Sequence, residues 1–292
     1  MRKFISLVLI VLMSLAMVYA QNSGDSKSPE AGNAYNDGLD QARKGNFDAA
    51  IPLFEKAIKA DEHFAQAYYM LGLSQKRVNK NTSAINSFKK AIEIDKKFEN
   101  SYIALGNLQT DLEDFDPAIN TFNAVLSFND KSSKAYYGVG NIFFKQRNYE
   151  KAIEVLKKSV QYSPDYDLAW NILGLSQDKA NQLTDAAASF EGAINATSNR
   201  NRQGNYYFRL GNVLLRLKKY KSAEDAYLNA LKFSKTQSVV GGSNFGLGEV
   251  YKFLGQTQKA IEYYKKASKE RSWRASADYE IDLLQNPDKY VN

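Results

Sequence analysis

The chain contains no cysteine in its 292 residues, a single histidine and only five prolines. Without cysteine there is no disulfide, no zinc–thiolate centre and no cysteine nucleophile, and the protein can sit in an oxidising compartment without mispairing. With His63 alone, a histidine metal cluster is excluded. No nucleophile–base–orienter set is visible, so the expectation is a protein without cofactor, metal or catalytic residues. The scarcity of proline leaves room for many uninterrupted helices.

The first twenty residues, MRKFISLVLIVLMSLAMVYA, are of another kind. Arg2 and Lys3 precede an unbroken apolar stretch that closes on Val18-Tyr19-Ala20, with small residues placed as in a signal-peptide cleavage site. The apolar run is slightly short for a spanning helix, which makes residues 1–20 a secretory signal and an uncleaved anchor the competing reading. The expected location is the periplasm of a Gram-negative-type bacterium, with the extracellular space as the alternative. Residues 21–33, rich in Ser, Gly and Asn, read as a flexible linker.

From Ala34 onward the chain repeats. Gly38, Gly72, Gly106, Gly140 and Gly174 fall 34 residues apart, and Gly211 and Gly248 continue at 37. Twelve residues after each glycine stands an alanine, from Ala50 to Ala260, and four further on a large apolar residue: Phe54, Phe88, Phe122, Leu156, Phe190, Tyr227 and Tyr264. Around each glycine, and again around each alanine, apolar residues recur at three and four, with a polar break between. Each unit is therefore a helix, a turn and a second helix returning antiparallel. Glycine in a helix costs about 0.5–1 kcal/mol relative to alanine, whereas overpacking a tight crossing costs about 1–3 kcal/mol. Glycine wins where two helices cross closely, with the alanine as the other small surface and the large residue filling the space beside them.

Repeats with Tyr68, Leu71, Gly72, Ala84, Phe88 and Ala91, or with Trp170, Leu173, Gly174, Ala186, Phe190 and Ala193, strongly resemble the tetratricopeptide repeat family. The resemblance implies an all-α fold, a right-handed α-solenoid of about seven helical hairpins spanning 34–272, followed by a C-terminal capping helix and tail at 273–292. Ala34, Asp37 and Gln41 give the first repeat the polar character of a terminal unit. Three extra residues before the sixth repeat and three before the seventh either lengthen helices or loosen loops. In the final segment Tyr279, Leu283 and Leu284 are expected to cover the last apolar face.

In this family the first helix of each unit lines a concave surface where ligands bind. The corresponding positions nominate Tyr69, Asn107, Lys134, Tyr137, Asn141, Asn171, Phe208 and Asn212 as a peptide-binding set. An asparagine amide offers donor and acceptor together and can pair with the backbone of an extended peptide, while the aromatic rings offer flat apolar contact. The lysine–asparagine clamp with which some family members capture a C-terminal carboxylate is missing: Tyr69, Ile103, Tyr137, Asn171 and Phe208 stand where its lysine would be.

Charge adds a second reading. The whole chain carries +7, and the excess lies in residues 201–292, around a basic patch of Arg209, Arg216, Lys218, Lys219 and Lys221. The expected function is a non-enzymatic adaptor or scaffold in the cell envelope that binds a protein or peptide partner in its groove. The alternatives are a binder of cell-wall polymer or anionic membrane surface through the basic third, or a secreted adaptor. Nucleic acid is a poor partner for an exported chain with no base-reading motif. The glycine-rich run Gly241–Gly248 follows no strand and lacks the lysine–serine of a phosphate loop.

Overall fold

The computed structural model describes Ser26 and residues 28–290, so residues 1–20, read as a signal, lie outside the described part. Among the described residues there are fifteen α-helices and no strand, and no helix long and apolar enough to cross a membrane. The chain divides into two compact units, the first ending at Asp130 and the second beginning at Lys131. The first holds three hairpins: α1 (Pro29–Arg43) with α2 (Phe47–Ala60), α3 (Ala65–Arg77) with α4 (Asn81–Ile94), and α5 (Glu99–Asp111) with α6 (Phe115–Phe128). The second holds α7 (Ser133–Lys145) with α8 (Tyr149–Tyr162), α9 (Asp167–Lys179) with α10 (Leu183–Asn195), α11 (Arg200–Arg216) with α12 (Tyr220–Phe233), and α13 (Gln237–Phe253) with α14 (Thr257–Ala267), closed by α15 (Arg274–Gln285). The fold is an all-α solenoid of helical hairpins.

Local sequence dictates where these helices start and stop. α1 begins at Pro29, inside the stretch 21–33 read as a linker, and the reason is a set of start signals that outweighs the polar composition. Ser28 Oγ accepts from the Ala31 amide at 3.3 Å, Pro29 occupies the first turn and Glu30 complements the helix dipole. Ala31 is then fully buried, which anchors the turn. At the hairpin turns the chain reverses through a left-handed residue: Gly45 and Gly255 in the first and last, but Asn79, Glu113, Arg147, Asn181 and Lys218 in the five between, with φ between 58° and 63°. The next amide closes the helix end, as when Lys80 N donates to Gln75 O and Lys219 N to Leu214 O, both at 2.9 Å, and the same bond back over five residues recurs in the other turns.

The repeat glycines have one structural partner each. A methyl group on Gly72 would stand 2.6 Å from the Phe88 ring, on Gly106 2.7 Å from Phe122, on Gly174 2.9 Å from Phe190, and on Gly140 2.5 Å from Leu156. The large residue sixteen positions on therefore lies directly on the glycine; it is the primary contact of the crossing, where the sequence pattern had assigned that place to the alanine. Ala50, Ala84, Ala118, Ala152, Ala186, Ala223 and Ala260 are each fully buried.

The three-residue insertions lengthen helices. First helices α3, α5, α7 and α9 have 13 residues each, while α11 and α13 have 17. Asn199 caps the added turn of α11 by accepting from the Arg202 amide at 3.1 Å. The Gly241–Gly248 run is helical throughout α13, because its glycines admit neighbouring rings: methyl groups there would meet Trp273 at 2.6 Å from Gly241, Phe208 at 2.7 Å from Gly242 and Tyr227 at 2.3 Å from Gly246.

The closing helix is held in part as expected, with Leu284 packing on the last core, and in part by other residues. Tyr279 is 54% exposed and only Ala277 is fully buried in α15. Covering is done by Trp273, whose ring lies 5.0 Å from Phe245, with Ile281 and Leu284 packing on the same core. Lys252 of α13 then pairs with Glu280 at 2.6 Å.

Candidate first-helix binding face

The residues nominated for a ligand surface stand on the first helices of the hairpins, and the two units are described separately. In the first unit Tyr69 is half-buried, its ring 5.3 Å from Phe98 and 6.1 Å from Phe88, and burial raises its phenol above the ordinary value. It packs the junction of two hairpins, with only part of its surface open. Asn107 on α5 is exposed. Beside it runs one inter-hairpin ion pair, Lys76 to Asp111 at 2.7 Å.

In the second unit Lys134 is exposed and Asn141 half-buried on α7. Tyr137 packs its ring 5.1 Å from Tyr166, and its hydroxyl is pushed upward chiefly by burial and secondarily by Asp167. Phe208 is half-buried against Tyr227 and against Gly242. Asn212 is exposed, but its amide oxygen accepts from Tyr227 Oη at 2.8 Å. Asn171 departs from the expectation altogether: it is buried, and its Oδ1 accepts from Arg209 Nη1. It is therefore unavailable to grip a peptide directly, because a cation on the neighbouring first helix occupies it.

That bond is one rung of a polar ladder between α9 and α11. At one end buried Asp167 takes Arg202 Nη1 at 2.9 Å and Tyr206 Oη at 2.9 Å. In the middle stands Asn171 with Arg209. At the other end Arg216 pairs with Asp178 and donates to Asn181 at 3.0 Å. The three arginines recur every seven residues, two turns of helix, so they share a face of α11. Asp167, Arg202 and Tyr206 were not nominated from the sequence; the seven-residue spacing of the arginines was the available signal.

The ladder also disperses the basic patch. Arg209 and Arg216 face α9 and are bonded there, whereas Lys218 and Lys219 lie exposed at the α11–α12 turn. Lys221, on the first turn of α12, pairs with Glu224 at 3.1 Å and Asp225 at 3.6 Å. The five residues do not form one continuous unpaired surface. Burial lowers the Arg209 guanidinium from its ordinary value, Tyr206 opposing the shift. Burial first, and then the hydrogen bond to Asp167, raises the Tyr206 phenol. Among the described residues no group of acidic or histidine side chains is placed to hold a metal ion.

The comparisons with known proteins agree with this architecture. Models described as tetratricopeptide repeat match residues 35–97 and 173–238, 99–132 and 242–271, and 133–166. No curated protein matches the chain. Among solved structures, a tetratricopeptide repeat protein from Parabacteroides merdae is 18% identical with a TM-score of 0.57, over 88% of this chain and 99% of its own. Pseudomonas aeruginosa pilF is 19% identical with a TM-score of 0.61, over 78% and 98%. YrrB, described as a TPR protein with an unusual peptide-binding site, is 20% identical with a TM-score of 0.58, over 67% and 97%. At these identities the likeness is one of fold.

Proposed function

Because the chain belongs to the tetratricopeptide repeat family, a family of protein–protein interaction scaffolds, we propose that it holds a segment of a partner protein on its first-helix faces. The observation that carries this reading is the second unit's face, where Lys134, Asn141 and Asn212 are at least partly open beside the half-buried rings of Tyr137 and Phe208. The Asn141 amide offers both halves of a backbone hydrogen bond, and Asn212, whose oxygen already accepts from Tyr227 Oη, offers its N–H donors. The neighbouring rings are fixed by their own packing, so they supply contact area at little entropic cost. YrrB lends the reading a precedent for peptide binding within the fold.

The test is affinity capture from native envelope extract with the chain from Gln21, alongside a variant with Asn107, Asn141 and Asn212 all changed to Ala. A partner retained by the unaltered chain and lost by the variant supports the reading. Equal recovery by both, with the helicity of the variant intact, sinks it.

We further infer that the scaffold works in the cell envelope, on the strength of Arg2, Lys3, the apolar run after them and the Val18-Tyr19-Ala20 site. Cell fractionation with N-terminal sequencing checks this: the expected mature chain starts at Gln21 in the periplasmic fraction. A cytoplasmic chain that retains Met1 would refute it.

A further inference from the structure

One hairpin turn breaks a rule that the others keep. The first helices α1, α3, α5, α7, α9 and α11 end on a charged residue, in turn Arg43, Arg77, Asp111, Lys145, Lys179 and Arg216. Helix α13 ends on Phe253 instead, and its cap is Leu254. Phe253 is 56% exposed, the most open large apolar side chain of the described residues, and Leu254 is 42% exposed. Adjacent apolar side chains held in water carry a free-energy cost that a contact would remove. The Phe253 ring stacks on Tyr220 at 5.4 Å. That stack joins the α13–α14 turn to the α11–α12 turn, where Lys218 and Lys219 lie exposed.

The charge around the two turns is of one sign. No acidic residue occurs from Leu210 to Ala223 or from Val250 to Ile261. Most of the cations are already engaged: Arg216 by Asp178, Lys221 by Glu224 and Asp225, and Lys252 by Glu249 and Glu280. Lys259 stands over the Tyr251 ring at 5.1 Å. Lys218 and Lys219 have no ion pair among the described residues. The amides of the turns are satisfied within them. Lys218 N donates to Leu215 O and Lys219 N to Leu214 O, while Gly255 N donates to Lys252 O and Gln256 N to Tyr251 O. These donors would stay paired if the turns left bulk water.

We propose that the two turns set the last hairpins on an anionic lipid bilayer, with Phe253 and Leu254 entering the headgroup layer and Lys218 and Lys219 pairing with its phosphates. Charge complementarity favours this occupant: the bilayer surface offers negative charge over an apolar interior, and the turns offer apolar side chains flanked by free cations. Lysine stems can lie along the apolar layer while their ammonium groups stay at the phosphates. The contact is peripheral, because no described helix is long and apolar enough to span. It does not rest on the first-helix face being the partner-binding surface.

The test uses the chain from Gln21, which holds all fifteen helices, sedimented with vesicles of three parts phosphatidylcholine to one part phosphatidylglycerol. Binding is expected to these vesicles, to fall with added sodium chloride, and to be absent from phosphatidylcholine alone. Lys218→Gln with Lys219→Gln should weaken it about thirtyfold, and Phe253→Ser about tenfold, with circular dichroism showing both variants folded. A local probe guards against a variant that fails to fold. Because the chain has no cysteine, a nitroxide can be attached at Leu254→Cys alone, with Leu228→Cys as its control. Leu228 is 41% exposed on α12, eight residues from the start of that helix, or about 12 Å along it. On anionic vesicles the first label should become shielded from a water-soluble nickel chelate and the control should not. No binding, equal binding to both vesicle types, binding unchanged in the variants, or an unshielded label at position 254 each overturns the proposal. It is also overturned if Phe253→Ser leaves vesicle binding unchanged but abolishes self-association or the capture of a protein, since the patch then belongs to a second copy or a protein partner. The variant with Asn107, Asn141 and Asn212 changed to Ala should bind vesicles as the unaltered chain does, so failure of the peptide reading and failure of this one are told apart.

Discussion

Hairpins whose first helix has 13 residues and those whose first helix has 17 use the same glycine crossing, yet they are tied together differently. In the first unit the short helices α3 and α5 share one open ion pair, Lys76 with Asp111. The long helix α11 carries Arg202 on its added turn, which reaches Asp167 of α9 and begins the ladder. Rings behave in parallel. Phe88 lies on Gly72, whereas Tyr227 lies on Gly211 of its own hairpin and on Gly246 of the next. An insertion of three residues has thus converted a simple stack into one that is cross-linked by polar groups and shared rings. The lesson is that a repeat can be specialised by lengthening a helix at its start, without disturbing the crossing itself.

The largest effect expected from breaking this contrast lies at the shared ring. Gly246→Ala would bring a methyl group to 2.3 Å from Tyr227, a ring that Gly211 already touches on its own side and whose hydroxyl is bonded to Asn212. It should cost at least the upper end of the roughly 1–3 kcal/mol overpacking range, and Gly72→Ala, where the methyl would stand 2.6 Å from a Phe88 ring that packs on this one repeat glycine, less. Urea midpoints of the two variants check this; equal losses would erase the distinction.

Next comes Asp167→Ala, which leaves the buried Tyr206 hydroxyl and the Arg202 guanidinium without their acceptor. A loss of about 1–3 kcal/mol is expected, against less than about 1 kcal/mol for Asp111→Ala at the exposed pair. Thermal unfolding of both variants decides whether the ladder outweighs the open bridge.

A third difference, one of number, appears at alkaline pH. Phenols raised above the ordinary value, in each case foremost by burial, are Tyr68 and Tyr69 in the first unit and Tyr137, Tyr166, Tyr206, Tyr227, Tyr251 and Tyr264 in the second. Below pH about 10 these groups are protonated in both folded and unfolded chains, and their contribution is fully present. As pH rises further the unfolded chain releases protons that the folded one keeps, so stability falls. Denaturant midpoints measured from pH 8 to 11 should decline, and more shallowly in Tyr264→Phe than in the unaltered chain. The smallest change is assigned to Arg216→Ala, whose partly exposed pair with Asp178 should contribute no more than about 1 kcal/mol, read from the same thermal unfolding curves.

Much of the fold was legible because its determinants are short-range. The glycine, the alanine and the large residue recur with the period of one hairpin, and each recurrence became a buried contact. What escaped were choices made by tertiary partners. Composition gave residues 21–33 a linker's character, but one capping serine and a buried Ala31 start α1 at Pro29. Tyr279 has the right spacing to cover the array's end, yet Trp273 reaches that core first and leaves the tyrosine exposed. The site was less legible. Asn171 shares the face of the other nominated residues, and only the position of Arg209, 38 residues later, removes it from a peptide's reach. That separation matches neither the 34-residue nor the 37-residue period, so reading repeat by repeat does not reveal the pair.

The sixteen-residue separation between each glycine and the ring that covers it has a kinetic consequence. The contact that defines a hairpin closes a short loop, and the entropy lost on closing such a loop grows only slowly with its length. Every hairpin therefore carries its own means of nucleation, and order can spread from any of them to its neighbours. Helices α11 and α13, joined by a ring that both must accommodate, are the place where such spreading should be most strongly coupled, so that the last hairpins gain and lose structure together.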